Sequence, residues 1–409
     1  MTSYKYDVAI IGGGIVGLAT AMELSASYPR FRVAVIEKEK EVAGHQTGHN
    51  SGVIHSGLYY RPGSQKARLC VAGARALRDF CDLHGVRHEP VGKVVVATTE
   101  EELPALDTLY MRGTANGVEG LEMIGPERLR ELEPHARGIK ALYSPGTGIV
   151  DYREVARAYV TTMQRSGVEL LTGARVMKIA RSDGLFGLET TQGDIRAVQL
   201  INCAGLYSDV ILRMMGLSSD VRIIPFRGEY YTLAPESRHL VKGLIYPVPD
   251  PLFPFLGVHL TRTVHGGVEV GPNAVLAFAR EGYRRWRIDL PDLMRTLAYP
   301  GFWAMSRRYW KTGLAEFYRS FSKRAFAHAL QRLVPEIRDK DLAPGGAGVR
   351  AQAVDRRGNL LDDFSIVEVE NALHVLNAPS PAATSSLAIA RHVVALASKS
   401  FTMAGRSHN

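Results

Sequence analysis

Residues 7–11 form a short, largely β-branched run that ends at Gly12-Gly13-Gly14-Ile15-Val16-Gly17, and a helix-like stretch, 18–25, follows. A second apolar run, 32–36, ends at Glu37, twenty residues after Gly17. Strand, tight turn, helix, strand and acid therefore arrive in register. Glycines at G-x-G-x-x-G spacing let the chain turn sharply, let a pyrophosphate approach the helix N-terminus and let helix pack closely on strand. The acid accepts hydrogen bonds from an adenosine ribose. The pattern predicts a dinucleotide-binding unit, with Gly12, Gly14, Ile15, Gly17, Glu37 and Lys38 at the cofactor. The motif alone does not choose between NAD and FAD.

At 409 residues the chain has room for two or three domains, or one large core with a second lobe. Apolar residues make up 46% and charged residues 22%, a globular composition that excludes disorder for the bulk. Three cysteines, Cys70, Cys81 and Cys203, form no disulfide framework, and no C-x-x-C pair offers a zinc site. A reduced, intracellular protein without metal is expected. The apolar segment 8–22 lacks a cationic lead-in, is broken by glycines and is too short to span a bilayer, so neither a signal peptide nor a transmembrane helix is expected.

Directly after the second strand comes Gly44-His45-Gln46-Thr47-Gly48-His49-Asn50-Ser51-Gly52-Val53-Ile54-His55-Ser56-Gly57-Leu58-Tyr59-Tyr60, rich in small and hydrogen-bonding residues that suit a backbone lying against a flat cofactor. Here the sequence resembles the FAD-dependent oxidoreductases of the D-amino-acid oxidase type and, within them, the L-2-hydroxyglutarate oxidase/dehydrogenase family. The resemblance continues through Pro225-Phe226-Arg227-Gly228-Glu229-Tyr230-Tyr231, Phe255-Leu256-Gly257-Val258-His259-Leu260, Gly271-Pro272-Asn273-Ala274 and Gly348-Val349-Arg350-Ala351-Gln352.

That resemblance implies an α/β fold, a Rossmann-like FAD-binding domain with a second, mostly antiparallel α+β substrate lobe. It implies FAD as cofactor and L-2-hydroxyglutarate as substrate, oxidised to 2-oxoglutarate by hydride transfer to flavin. Electrons would pass to the membrane quinone pool, or to oxygen in vitro. The alternatives are an amine or amino-acid oxidase of the same architecture and a flavin-binding membrane-associated module without turnover. FAD contacts are expected at Thr47, Asn50, Ser51, Gly52, Val176, Ala204, Gly205 and Gly348. They are also expected at Pro381, Ala382 and Thr384, which stand where related oxidases carry a glycine-rich turn.

Apolar spacing predicts helices over 65–84, 100–116, 125–134, 152–166 and 380–398. It predicts strands over 91–99, 168–171, 176–180, 199–203, 221–233, 243–247, 259–263, 267–270 and 372–377. The FAD-binding domain is expected at 1–84, 150–218 and 340–409, and the substrate lobe at 85–149 and 219–339, with a crossing near 146–151. The cysteines read as buried structural thiols.

Of the formal charge of +9, residues 280–332 supply +8, from twelve Arg or Lys against four acids. The same segment holds all three tryptophans, Trp286, Trp303 and Trp310. Cations interleaved with aromatics suit an anionic lipid surface. The plainer reading is a helical subdomain with solvated arginines, and no nucleic-acid-binding motif accompanies the charge. The lipid reading puts the protein in the cytoplasm, peripheral on the cytoplasmic face of the inner membrane, within reach of quinone. Oligomeric state is left open.

Oxidising a 2-hydroxy acid needs a base for the hydroxyl proton and cations for the carboxylates. Histidine titrates near neutrality, and His55 and His259 lie inside the stretches that carry the resemblance. Arg350 is the first candidate for the carboxylate, because a guanidinium fork supplies charge and orientation together. Tyr60, Arg61, Arg227 and Tyr231 are unranked candidates for a second anchor.

Overall fold

The structure is a computed structural model that describes residues 4–249 and 257–401. Among these, eight strands make one large sheet and nine make another. In the first, Tyr4–Ile11 lies between Gly193–Asn202 and Val33–Ile36 and runs parallel to both. Glu169–Leu171 extends it on one side; Ala372–Asn377, Val176–Ser182 and Leu185–Thr190 extend it on the other. Val33–Ile36 is buried throughout, as expected of a parallel strand covered on both faces. Helices Ile15–Ser27, Tyr152–Arg165 and Ser386–Ser400 supply one cover, packing Leu18, Leu24, Tyr159 and Val393 on Val8, Ile10 and Val35.

The second sheet runs Val275–Leu276, Val221–Leu233, Val268–Gly271, His259–Arg262, Leu244–Pro247, Lys93–Ala97, Lys140–Ser144, Glu122–Ile124. It is antiparallel except where Leu244–Pro247 meets Lys93–Ala97. Leu342–Asp355 pairs with Val221–Leu233 along its length, from Val221 opposite Asp355 to Leu233 opposite Leu342. A small sheet pairs Val53–Ile54 and His88–Glu89 with Gly148–Val150.

Gln65–His84 and Val221–Leu233 have the bounds that apolar spacing predicts. Among the differences, three bear on the architecture. The return to the first sheet comes after Asp355 rather than at 340, because Leu342–Asp355 spends its hydrogen bonds on the substrate sheet. Leu185–Thr190 is an unexpected strand; Asp183 and Gly184, both at positive φ, form the hairpin turn that precedes it, a two-residue Asp-Gly signal. Helix Ser386–Ser400 starts later than 380, since 379–385 closes its own turns from Ala382 N to Pro379 O and from Ser385 N to Pro381 O.

Candidate active site

A cavity of about 1110 Å³ is lined by both lobes. At one end Gly12, Gly14, Ile15, Glu37 and Lys38 border it. A Cβ on Gly12 would meet the Cys203 carbonyl oxygen at 2.4 Å, and φ there is +115°, so the turn demands glycine. Helix Ile15–Ser27 has no cap from its own Gly14; Thr47 Oγ1 accepts from Ile15 N at 2.9 Å. Glu37 accepts from Gly13 N at 2.6 Å and from Glu39 N at 2.9 Å, and a carboxylate keeps further lone pairs for a ribose hydroxyl. Gly17 does not border the cavity. Its Cβ would lie 2.0 Å from Gly12 O, so its place is in packing helix on turn. Gly52 is also outside the lining: its φ is +67° and a Cβ would meet Val150 O at 2.6 Å, which makes it a pairing glycine of the small sheet.

Thr47, Asn50, Ser51, Val176, Ala204, Gly205, Gly348, Pro381, Ala382 and Thr384 all border the cavity. Asn50 Nδ2 donates to the Gln46 and Thr47 carbonyls while its Oδ1 accepts from Gly52 N, which fixes the loop. Thr384 Oγ1 accepts from His55 N at 3.1 Å and lies 2.9 Å from Tyr152 OH, tying the C-terminal turn to the 44–60 segment. The three cysteines are buried and free, and burial pushes each thiol up to about 12.

His55, His259 and Arg350 border the same cavity. His259 Nδ1 lies 2.8 Å from the Gly257 carbonyl, which can only accept; Nδ1 therefore carries the proton and Nε2 keeps a lone pair. Its ring stacks on Tyr246 at 3.9 Å. Burial, with the positive charges of Lys93 and Arg350 assisting, holds His259 down at about 4. Burial, then Lys93 and His259, holds His55 at about 3, and His55 Nδ1 is buried with no hydrogen-bond partner. Both rings are neutral at pH 7. Arg350 sits directly opposite Phe226 in the strand pair and opens onto the cavity.

Four expected substrate residues are elsewhere. Side chains alternate along a strand, so Phe226, Gly228 and Tyr230 take the cavity side while Arg227, Glu229 and Tyr231 take the other. Arg227 is buried there against Glu229 at 3.1 Å, and Tyr231 packs on Phe326. Tyr60 lies outside the lining with Lys66 over its ring, and Arg61 is exposed. In their place the cavity gains Tyr230, Asn273, Gln352 and Lys66, whose buried ammonium meets Asp362 at 2.7 Å. The one-residue offset between Tyr230 and Tyr231 was open to the alternation rule; the burial of Lys66 had no local signal. Phe255 and Leu256 lie outside the described residues.

A family model described as FAD dependent oxidoreductase matches residues 7–396. The chain belongs to that family. Among curated proteins, this FAD-dependent oxidoreductase is 53% identical to L-2-hydroxyglutarate dehydrogenase of Indibacter alkaliphilus, covering 97% of this chain and 100% of that one. It is 47% identical to the mitochondrial L-2-hydroxyglutarate dehydrogenase of Nematostella vectensis, over 98% and 92%. Among solved structures, FAD-bound L-α-glycerophosphate oxidase of Mycoplasma pneumoniae superposes with a TM-score of 0.79 at 23% identity, over 96% of this chain and 95% of that one, a likeness of fold.

The cavity of this oxidoreductase fits FAD: a glycine turn that admits no side chain, a helix start without a side-chain cap of its own, and a buried polar atom on His55 awaiting a partner. Segment 280–332 divides into a loop and helices Leu290–Leu297, Pro300–Phe321 and Lys323–Gln331. Part of its charge is internal, unlike the fully solvated surplus that composition suggests. Arg280 is buried between Asp209 and Asp292, and Arg285 pairs with Glu229. The tryptophans face outward, Trp286 80% exposed, Trp303 52% and Trp310 56%. No helix of the described residues is long and apolar enough to cross a membrane.

Proposed function

We propose that this oxidoreductase is an L-2-hydroxyglutarate dehydrogenase. The observation that carries the reading is the convergence of Arg350 and two neutral histidines on one cavity, in a chain whose near-full-length relatives bear that name. Arg350 takes the C1 carboxylate on its guanidinium fork. His259 Nε2, kept unprotonated by burial and oriented by the Nδ1 bond to Gly257, accepts the hydroxyl proton. His55 is the second candidate for that proton. The chemistry FAD supplies when bound is acceptance of the C2 hydride and delivery of the electrons to a membrane quinone, with oxygen as the substitute in vitro.

Attachment to an anionic lipid surface on the cytoplasmic face of the membrane is part of the same reading. Leu314, Tyr318 and Phe321 are exposed along with the tryptophans, while Arg284, Arg287, Arg307, Lys311 and Arg324 have no acid partner among the described residues. Rings at headgroup depth and cations on anionic lipid are the physics of such a surface.

The test is anaerobic mixing of the holoenzyme with each enantiomer of 2-hydroxyglutarate, lactate, glycerol 3-phosphate and several amino acids while the flavin absorbance is followed. Selective bleaching by L-2-hydroxyglutarate is expected. Bleaching by an amine instead would keep the fold and overturn the substrate.

A further inference from the structure

Lys93 opens the strand Lys93–Ala97 and is 1% exposed. A lysine at that depth is ordinarily held by a carboxylate. Here no acid among the described residues pairs with it; its ammonium lies 4.4 Å from the centre of the Tyr59 ring and 5.1 Å from that of Tyr246. Cation–π contact offsets part of the desolvation but brings no negative charge. The Tyr59 hydroxyl is also buried without a hydrogen-bond partner. Tyr246 stacks on His259, which borders the cavity, so the ammonium is one ring removed from the cavity wall.

The surroundings add no compensation. Tyr59, Tyr246 and the Cys70 thiol are neutral at pH 7, as are His55 and His259. Lys66 acts on His55, and Arg350 on His259, with the same sign as Lys93. Glu269, which acts on Tyr246, is pushed up by burial to about 7 and carries only a partial charge there. Burial holds Lys93 itself down at about 7, so an anion arriving nearby draws a proton onto it.

We propose that Lys93 is a positioning residue for the substrate's second carboxylate: its uncompensated charge makes the cavity favour a 2-hydroxydicarboxylate over a 2-hydroxymonocarboxylate. The inference rests on the 2-hydroxy-acid oxidation proposed above. It names what that site selects for, a dianion, and the residue that does the selecting through Tyr246 and His259.

Glutarate has both carboxylates and no hydroxyl to oxidise; butyrate has one carboxylate. Each is titrated into the holoenzyme, followed by flavin absorbance, for the wild type, Lys93→Met and Lys93→Arg. The wild type prefers glutarate, and its glutarate affinity weakens as pH rises through about 7. Lys93→Met loses roughly tenfold or more in glutarate affinity and keeps that for butyrate, as expected for one charge acting at several ångströms in a protein interior. Lys93→Arg restores the preference and lessens the pH dependence, leaving only the part that Glu269 contributes. An unchanged ratio of glutarate to butyrate affinity in Lys93→Met, or an equal loss of both, overturns the proposal. Exchange of an uncompensated buried cation for an apolar chain of similar length spares the fold, which a melting temperature checks. A glutarate preference that depends on Lys93, in an enzyme that L-2-hydroxyglutarate does not reduce, overturns the substrate reading and supports the role of Lys93.

Discussion

At its nucleotide end the cavity is walled by backbone and small residues, with Gly12 and Gly14 at the turn and the one acid, Glu37, satisfied by main-chain amides. At its substrate end it is walled by side chains whose ionisation the fold has moved: His55 and His259 far below neutrality, with Lys66, Lys93 and Arg350 around them. At the first end Gly12 tolerates no added atom. The second tolerates shape changes but not charge changes. Cofactor binding here is a steric problem solved by glycine, and substrate chemistry an electrostatic one solved by burial.

The largest expected effect tests the steric end. Gly17→Ala places a Cβ 2.0 Å from Gly12 O and costs about 3 kcal/mol or more, so the purified protein emerges without flavin and melts early. Gly14→Ala, whose Cβ meets only Thr47 Oγ1 at 3.4 Å, keeps the fold; if both variants lost the fold alike, the steric account would be wrong. Next, His259→Ala slows flavin reduction by about 10²- to 10⁴-fold at unchanged FAD content, read by stopped-flow absorbance. Reduction at the wild-type rate would remove His259 from the chemistry.

Strand parity gives a smaller, paired effect. Arg227→Met leaves half-buried Glu229 short of one partner and costs about 1–3 kcal/mol of stability while KM stays put. Tyr230→Phe, on the cavity side, moves KM and leaves the melting temperature alone. Equal KM changes in the two variants would dissolve the distinction between the faces.

The pH profile sharpens the electrostatic end. His259 must be unprotonated to take the proton, so the acid limb of kcat/KM falls with a midpoint near 4. A limb near the ordinary histidine value, about 6.5, would point to an exposed base instead. Stability follows the same sign: as pH drops below about 6.5 the unfolded chain binds protons that folded His55 and His259 refuse, so the fold weakens as pH falls toward 4. Smallest of all, single Trp286→Ala or Trp310→Ala changes shift stability by less than about 0.5 kcal/mol, since both rings are exposed, yet lower sedimentation with anionic vesicles.

The glycine turn, helix Gln65–His84 and strand Val221–Leu233 were legible because each is a local pattern of a few residues with one satisfactory conformation. Arg227 and Tyr231 were misplaced because the strand's two faces look alike in sequence. Which face meets the cavity follows from Arg350 lying opposite Phe226 across a pairing of residues more than a hundred apart. Nothing local in the sequence singles out Lys66 or Lys93; both are buried by residues distant in the chain. The surplus in 280–332 was legible as a sum, but not that Arg280 spends its charge inside on Asp209 and Asp292.

By itself the sequence determined the dinucleotide-binding unit, a pattern of residue types at short spacing, and through its resemblance the family; the residues proposed to oxidise a 2-hydroxy acid were candidates within those stretches. Only the tertiary structure decided which of those residues share a cavity and in what ionisation state. Facing is set by long-range strand register, and a pKa by how much water the rest of the chain has removed.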